Sequence, residues 1–168
     1  METYRCSGCG YLHVGPAPDR CPTCGAPKTA FKEYEGSDLS GTRTEENLKA
    51  AFAGESQANR RYTLWKRIAE LEGAPESAIK AFQRAAEEET AHALGHLAYL
   101  RAYGTTADNL RAARAGEDNE ATEMYPGFAE IAEEEGFSDI AYYFRALARY
   151  EGEHRNEYGA SLEEMGEV

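Results

Sequence analysis

The chain has 168 residues, with 18 basic and 30 acidic side chains and a formal charge of -12 at neutral pH. No stretch collects lysine and arginine together with aromatic residues, so nucleic acid and anionic membranes are not expected as partners. The first residues, METYRCSGCG, have the pattern of neither a signal peptide nor a membrane span. These features favour a cytoplasmic protein with one small module and one larger domain.

The N-terminal segment contains every cysteine of the chain, as two C-x-x-C pairs: Cys6, Cys9, Cys21 and Cys24. In a reducing cytosol such pairs favour a metal site over disulfides. Gly10 and Gly25 follow the second cysteine of each pair, and glycine can adopt the backbone shape that directs amide N–H groups at the sulfur atoms. The pattern predicts a tetrahedral four-sulfur site, and the cysteines alone leave zinc and iron equally open.

Beyond a polar linker at 35–41, the sequence becomes rich in Ala, Glu, Arg and Leu with helical spacing. Short breakers containing Gly, Pro or Ser divide this region into four helices, predicted at 44–72, 76–102, 107–135 and 138–160. Short connections make neighbouring helices antiparallel. The sequence therefore predicts a mostly α fold, with a four-cysteine metal domain at 1–36 and a four-helix bundle at 37–168.

A weak internal repeat relates the first two predicted helices to the last two. The motif A-x-A-G-E ends at Glu55 and again at Glu117, and an E-x-x-H motif begins 34 residues after each, at Glu89 and Glu151. We interpret the two predicted hairpins as copies. Residues three apart lie on one helix face, so each E-x-x-H offers a carboxylate and an imidazole to the same point.

These motifs match the ligand pattern of di-iron carboxylate bundles, where two helices each supply a Glu and two others each supply an E-x-x-H. A single pair of this kind is weak evidence, because solvated helix faces often contain one by chance. Agreement among four helices favours a metal site, and so many carboxylates inside a bundle need compensating cations. Carboxylate and imidazole ligands suit iron or manganese. The residues that fill the pattern are Glu55, Glu117, Glu89 with His92, and Glu151 with His154.

Other polar residues carry weaker signals. Tyr62 and Tyr125 follow the glutamates of the first and third helices by about two turns, so they either face the metals or are core aromatics with a bonded hydroxyl. His13 and His96 are expected to be surface or packing histidines.

The stretches LKAAFAGESQANRRY and NLRAARAGEDNEATEMYP, with the cysteine segments CSGCGYLHVG and CPTCGAPKTAF, resemble the rubrerythrin family over nearly the whole chain. The resemblance implies a ferritin-like four-helix bundle preceded by a rubredoxin-like domain with an Fe(Cys)4 centre. The resemblance also implies that Tyr62 and Tyr125 correspond to tyrosines that lie near the di-iron site in the family. The implied di-iron ligands are Glu55, Glu89, His92, Glu117, Glu120, Glu151 and His154. The best-known members carry the cysteine module after the bundle, so this chain is similar to the reversed-order members.

The function that the resemblance implies is an NAD(P)H-linked, non-haem di-iron peroxidase that reduces hydrogen peroxide to water and protects against oxidative stress. Electrons would pass through the Fe(Cys)4 centre from an external reductase or a rubredoxin. Members are commonly homodimers in which the rubredoxin-like domain of one subunit serves the di-iron site of the other, and a domain-swapped homodimer is one expected arrangement. Iron storage in a hollow shell and electron transfer without peroxide turnover remain alternatives.

The repeat fails at one position beside the predicted ligands. Glu120 stands three residues after Glu117, whereas Ala58 stands three residues after Glu55. The extra carboxylate suggests that Glu120 and His92 alternate as ligands of one iron, because an anion favours Fe(III) and a neutral imidazole suits Fe(II). The rubrerythrins are known for such an exchange, and the resemblance supports the hypothesis.

Overall fold

The computed structural model describes residues 1–167, which fold into two compact units at 1–102 and 103–167. The first unit begins with a small antiparallel sheet of strands β1 (Thr3–Cys6), β2 (Leu12–Val14) and β3 (Phe31–Glu33), in the order β2-β1-β3. Tyr4 pairs with His13 on one side and with Glu33 on the other.

The interior of this small module is built around the cysteines. Cys6 and Cys21 are buried against Phe31, and Leu12 is also buried. A core of this size buries little apolar surface, and domains below about 40 residues usually need a metal or disulfides for stability. The module is therefore expected to depend on its metal.

Two long helices complete the first unit, α1 (Arg43–Leu71) and α2 (Glu76–Tyr99). Helix α1 begins after Thr42, whose hydroxyl accepts a hydrogen bond from the Glu45 amide at 3.1 Å. Most of the buried positions of these two helices are small side chains, which let neighbouring backbones approach closely: Ala58, Ala69, Ala91, Ala93 and Ala98 are buried. The predicted boundaries agree within a residue or so, except that α2 ends at Tyr99 and not at residue 102.

A buried asparagine joins the two helices of this hairpin. The Asn59 side chain, 8% exposed, donates to the Ala86 carbonyl at 2.6 Å and to the Thr90 hydroxyl at 2.7 Å. A buried amide is stabilising only when it is hydrogen-bonded, so these contacts fix the register of α1 against α2.

The second unit contains α3 (Thr106–Asn119), a π-helical turn (Glu120–Met124), α4 (Tyr125–Glu134) and α5 (Ser138–Glu164). Thr105 and Asp108 form a capping box at the start of α3. The third predicted helix, at 107–135, is thus interrupted by the π turn, and the fourth extends beyond its predicted end at residue 160.

The π turn has an identifiable cause in the sequence. Pro126 stands two residues after the turn ends at Met124. A proline inside a regular α-helix lacks one donor and clashes with the carbonyl four residues earlier, which here belongs to Thr122 within the turn. A π turn holds one extra residue, and the repeat shows it: Tyr62 follows Glu55 by seven residues, but Tyr125 follows Glu117 by eight. The α4–α5 connection at 135–137 is one residue shorter than the α1–α2 connection at 72–75, which restores the 34-residue spacing.

The mostly α prediction, with a small cysteine module placed first, is confirmed. The predicted domain boundary between residues 36 and 37 stays a prediction, because the two compact units divide at residues 102 and 103. Among residues 1–167, no helix combines the length and the apolar character that crossing a membrane requires.

We predict that Asn59→Ala lowers the free energy of unfolding of the metal-free protein by about 1.5 kcal/mol, because two buried hydrogen bonds are lost. Urea unfolding followed by circular dichroism measures this change. Asn47→Ala, at an exposed position of the same helix, is the matched control and should change the midpoint little. Equal midpoints for both variants would contradict the bridging role of Asn59.

Candidate metal centres

The four cysteines converge at one point of the small module. The sulfur atoms of Cys6 and Cys24 are 3.7 Å apart, as are those of Cys9 and Cys21. The four ligand atoms all lie within 4.8 Å of one another, and each cysteine is a free thiol. A disulfide requires sulfur atoms about 2.05 Å apart, so these pairs are not disulfides.

The sulfur geometry fits a tetrahedral metal. Metal–sulfur bonds of about 2.3 Å set tetrahedral sulfur–sulfur edges of about 3.8 Å, which the two 3.7 Å pairs match. Gly10 and Gly25 have positive φ angles of 84° and 71°, and their amides donate to the Cys6 and Cys21 carbonyls at 2.8 Å. The predicted glycine turns after each cysteine pair are confirmed.

The thiols influence one another's protonation strongly. Burial alone would raise the pKa of Cys6, but backbone hydrogen bonds from Cys9 and Gly8, with contacts to neighbouring thiols, lower it to about 7. Burial raises the pKa of Cys9 to about 12, and the neighbouring thiols add to this shift. One thiolate is thus favoured over four, and a bound cation is needed to hold all four sulfurs deprotonated.

The second centre lies on α1 and α2 and consists of Glu55, Glu89 and His92, named here the first triad. Their ligand atoms lie within 4.8 Å of one another. His92 Nδ1 is 2.9 Å from Glu89 Oε2, and the two side chains are 36% and 18% exposed. The predicted E-x-x-H geometry on one helix face is therefore present, with Glu55 brought to it from the neighbouring helix.

The two carboxylates of the first triad compete for a proton. Hydrogen bonding with Glu89, followed by burial, raises the pKa of Glu55. The same contact with Glu55, helped by His92, lowers the pKa of Glu89. Two carboxylates this close cannot both ionise without cost, and a cation between them removes that cost.

The third centre repeats this arrangement on α3 and α5, with Glu117, Glu151 and His154, named here the second triad. His154 Nδ1 is 2.9 Å from Glu151 Oε2 and 3.7 Å from Glu117 Oε2. Burial, followed by repulsion from Glu151, raises the pKa of Glu117. The agreement between the two triads supports the interpretation of the hairpins as copies.

Glu120 and the two tyrosines flank the triads without joining them. Glu120 opens the π turn and lies outside the second triad. Burial, followed by the charge of Glu120, raises the pKa of Tyr125. The ring of Tyr125 stacks on Phe144, and the ring of Tyr62 packs against Trp65. Both tyrosines thus lie in aromatic clusters, and their predicted catalytic roles, like that of Glu120 as a ligand, stay predictions.

A cavity of about 260 Å³ within the first unit is a feature that the sequence does not predict. Cys9 lines one side, and Glu55 and His92 line another, so one space borders both the sulfur site and the first triad. Tyr11 and His96 also line it. The sequence holds one signal that points here, since His96 lies one helical turn beyond His92.

The two kinds of centre suit different metal chemistry. Four thiolates bind iron or zinc tetrahedrally, whereas two carboxylates and an imidazole suit harder metals such as iron or manganese. The partial exposure of the triads leaves room for further ligands or substrate. These residues fit a four-thiolate iron site and the carboxylate and histidine ligands of a di-iron site.

We predict that Glu55→Gln stabilises the metal-free protein at pH 7 by about 0.5 kcal/mol, since it removes a repulsion that solvent partly screens. A carboxyl group with a raised pKa destabilises the fold once ionised, so the gain should vanish below the unfolded pKa of about 4.3. Urea unfolding at both pH values measures this. Glu87→Gln, at an exposed site on α2, is the control. Destabilisation by Glu55→Gln at pH 7 would contradict the repulsion.

Comparison with known proteins agrees with this geometry. The family model named Rubrerythrin matches residues 46–162, and the model named Rubrerythrin, rubredoxin-like domain, matches residues 4–32. The chain is 44% identical to a rubrerythrin of Porphyromonas gingivalis over 144 residues, 78% of this chain and 72% of the relative.

It is 40% identical to rubrerythrin-1 of Clostridium acetobutylicum over 77% of this chain and 74% of the relative. It is also 38% identical to reverse rubrerythrin-1 of the same organism, over 55% of this chain and 59% of that relative. The rubredoxin-like match precedes the helical match, and together the two matches show that the chain belongs to the rubrerythrin family.

Proposed function

We propose that this protein is a rubrerythrin-type peroxidase that reduces hydrogen peroxide to water with electrons supplied through its four-cysteine site. The observation that carries the proposal is that one chain holds a four-sulfur site and two matched carboxylate–histidine triads. Cys9 borders the same cavity as Glu55 and His92, which gives the sulfur site direct proximity to the first triad. An oxidoreductase function is in keeping with the family.

The two triads are proposed to form a di-iron site together, whether they come from one chain or from two. The residues of the two triads would hold two ferrous ions, and that pair would supply the two electrons that, together with two protons from solvent, convert one hydrogen peroxide into two waters. The carboxylates provide negative charge that offsets the cations, and the histidines complete the coordination. The proposed ligands are Glu55, Glu89, His92, Glu117, Glu120, Glu151 and His154.

The tyrosines are proposed to act as neutral hydrogen-bond donors beside this site. A tyrosine hydroxyl ordinarily keeps its proton at neutral pH, and burial with the charge of Glu120 raises the pKa of Tyr125 further. A protonated hydroxyl can donate to an oxygen atom of the substrate. Tyr62, at the matching place in the other hairpin, is assigned the same role.

The four-cysteine site is proposed to be the point where electrons enter. The thiolates Cys6, Cys9, Cys21 and Cys24 would hold one iron tetrahedrally. A four-thiolate site gains or loses one electron with little change of geometry, which suits it to relay electrons one at a time. The donor is proposed to be an NAD(P)H-linked reductase or a separate rubredoxin in the cytoplasm, and the role is protection against oxidative stress.

We propose that the protein assembles as a homodimer. Apolar side chains are exposed in both units, among them Leu64 at 55%, Ile68 at 40% and Ile131 at 53%. Exposed apolar surface of this kind favours association between copies. Size-exclusion chromatography separates a dimer from the large shell that an iron-storage function requires, and a shell would contradict the peroxidase proposal.

We predict that Cys9→Ser abolishes peroxide turnover with NADH and a reductase, because the entry site loses one of its four ligands. The chemically reduced variant should still consume peroxide once, since its triads are intact. Coupled NADH oxidation and a single-turnover peroxide assay measure the two effects.

Ser7→Ala, at an exposed position of the same turn, is the control and should keep full turnover. Full NADH-linked activity in Cys9→Ser would show that the cysteine site is structural. Iron binding without peroxide turnover in the unaltered protein would instead indicate an electron carrier.

We also predict that Glu55→Ala and Glu117→Ala each lower di-iron occupancy by tenfold or more, about the effect of losing a ligand worth 1.4 kcal/mol. The expectation rests on their matching places in the two triads. Metal analysis after dialysis measures it, with Glu87→Ala on the exposed face of α2 as the control. Unchanged iron in both ligand variants would refute the assignment.

A further inference from the structure

The cysteine module is docked on helix α2 within the compact unit Met1–Ala102. The Tyr99 hydroxyl, near the end of α2, donates to the Gly10 carbonyl at 2.6 Å across 89 residues of sequence. Gly10 directly follows Cys9, so this hydrogen bond holds the turn that carries a metal-binding sulfur. The ring of Tyr34 packs edge-on against Tyr99, with centroids 5.8 Å apart.

A second contact lies one helical turn closer to the first triad. Gly95 is buried, and a Cβ atom at this position would lie only 3.1 Å from the Tyr11 ring. The missing side chain lets Tyr11, two residues after Cys9, lie directly on the helix. Gly95 itself is about 4.5 Å from His92 along the helix axis. The contact between the module and α2 thus places the four-cysteine site beside the helical turn that precedes Gly95 and carries His92 of the first triad.

A third contact fixes the segment that leaves the module. The Arg101 guanidinium donates to the Glu35 carbonyl. Arg101 has a φ of 51°, which is uncommon for a residue other than glycine and costs of order 1 kcal/mol. The helix end itself accounts for this conformation, since the amides of Arg101 and Ala102 donate to the Ala98 and Leu97 carbonyls, each at 3.1 Å. The turn places the Arg101 side chain where it reaches the segment that leaves the module.

The 260 Å³ cavity lies between these contacts and the triad. Cys9 is an exposed cysteine, and it lines this space together with Glu55 and His92. Electron transfer slows steeply with distance, and the dock places the two centres of one chain on opposite sides of one small space. The three contacts together hold the module beside the first triad of its own chain.

We infer that the four-cysteine site passes electrons to the Glu55–Glu89–His92 triad of its own chain, and that Tyr99 and Gly95 are positioning residues for this transfer. The inference rests on the proposed function and departs from the expected arrangement in which each module serves the other subunit. Each transfer moves one electron, oxidising the thiolate site and reducing the carboxylate site, with no bond made or broken. The external reductase then restores the thiolate site.

Mixed dimers distinguish electron transfer within one chain from electron transfer between the two chains. One chain carries Cys9→Ser, which removes its donor but leaves its first triad, and the other carries Glu55→Ala, which removes its first triad but leaves its donor. Transfer within a chain predicts no NADH-linked turnover in the mixed dimer beyond that of either parent. Recovered turnover would overturn the inference.

The unaltered protein is assayed in parallel, because absence of its peroxide turnover marks failure of the proposed function and not of the transfer route. The position of Glu55 and the cysteines in one unit makes this test independent of which chain supplies the second triad.

A second measurement needs no activity. With zinc in the cysteine site, ¹⁵N relaxation should show residues 3–33 tumbling together with α2 in the unaltered protein. Tyr99→Phe keeps the ring but removes the hydrogen bond, and should lower the ratio of docked to undocked module about fivefold. Gly95→Leu should release the module further, because its side chain occupies the place of Tyr11.

Tyr142→Phe, at a tyrosine 70% exposed in α5, is the control. Both docking variants should slow NADH-linked turnover while leaving single-turnover peroxide consumption unchanged. Independent tumbling of the module in the unaltered protein, or undiminished turnover in both docking variants, would overturn the positioning role.

Discussion

Each helical hairpin brings two carboxylates close enough to compete for a proton, and the metal sites depend on that constraint. In the first hairpin, contact with Glu89 raises the pKa of Glu55, and in the second, burial and Glu151 raise the pKa of Glu117. The helices hold these groups at fixed spacing through their own packing, with Asn59 bridging the first pair. The fold therefore carries an unfavourable arrangement of charge that bound cations convert into a stabilising one.

The cysteine module shows the same dependence on a cation in a different chemistry. Burial drives the Cys9 pKa up to about 12, while amide hydrogen bonds help to bring that of Cys6 down to about 7. A bound metal lets all four sulfurs ionise together. The module then needs a fixed place relative to the helices, and the contact of Tyr11 with Gly95 supplies it. The unit Met1–Ala102 thus holds both the four-cysteine site and the first triad.

Much of this organisation can be predicted from the sequence, because it depends on local spacing. The C-x-x-C pairs predict the sulfur site, and the three-residue spacing of each E-x-x-H predicts that Glu89 and His92, like Glu151 and His154, share a helix face. The repeat of A-x-A-G-E then identifies the glutamates of the partner helices. Each of these inferences needs only helix periodicity and the chemistry of the ligands.

The sequence does not predict two kinds of feature. One is a change in length that is offset nearby, and the other is a contact between residues distant in sequence. The π turn is hidden because its extra residue is offset by a shorter connection, which leaves the 34-residue spacing equal in both hairpins. The docking of Tyr11 on Gly95 joins residues 84 positions apart. Nothing in the local pattern distinguishes that glycine from others in the helices. His96 is expected from sequence to be a packing or surface residue, and the structure adds that it lines the shared cavity.

The most direct test of this account is a metal analysis of the purified protein combined with its visible spectrum before and after reduction. We expect three iron ions per chain, one bound by the four thiolates and two in the di-iron centre. The iron–thiolate absorption bands should bleach when the protein is reduced. Zinc in the cysteine site and an absence of those bands would contradict the account, because the chain would then have no entry point for electrons.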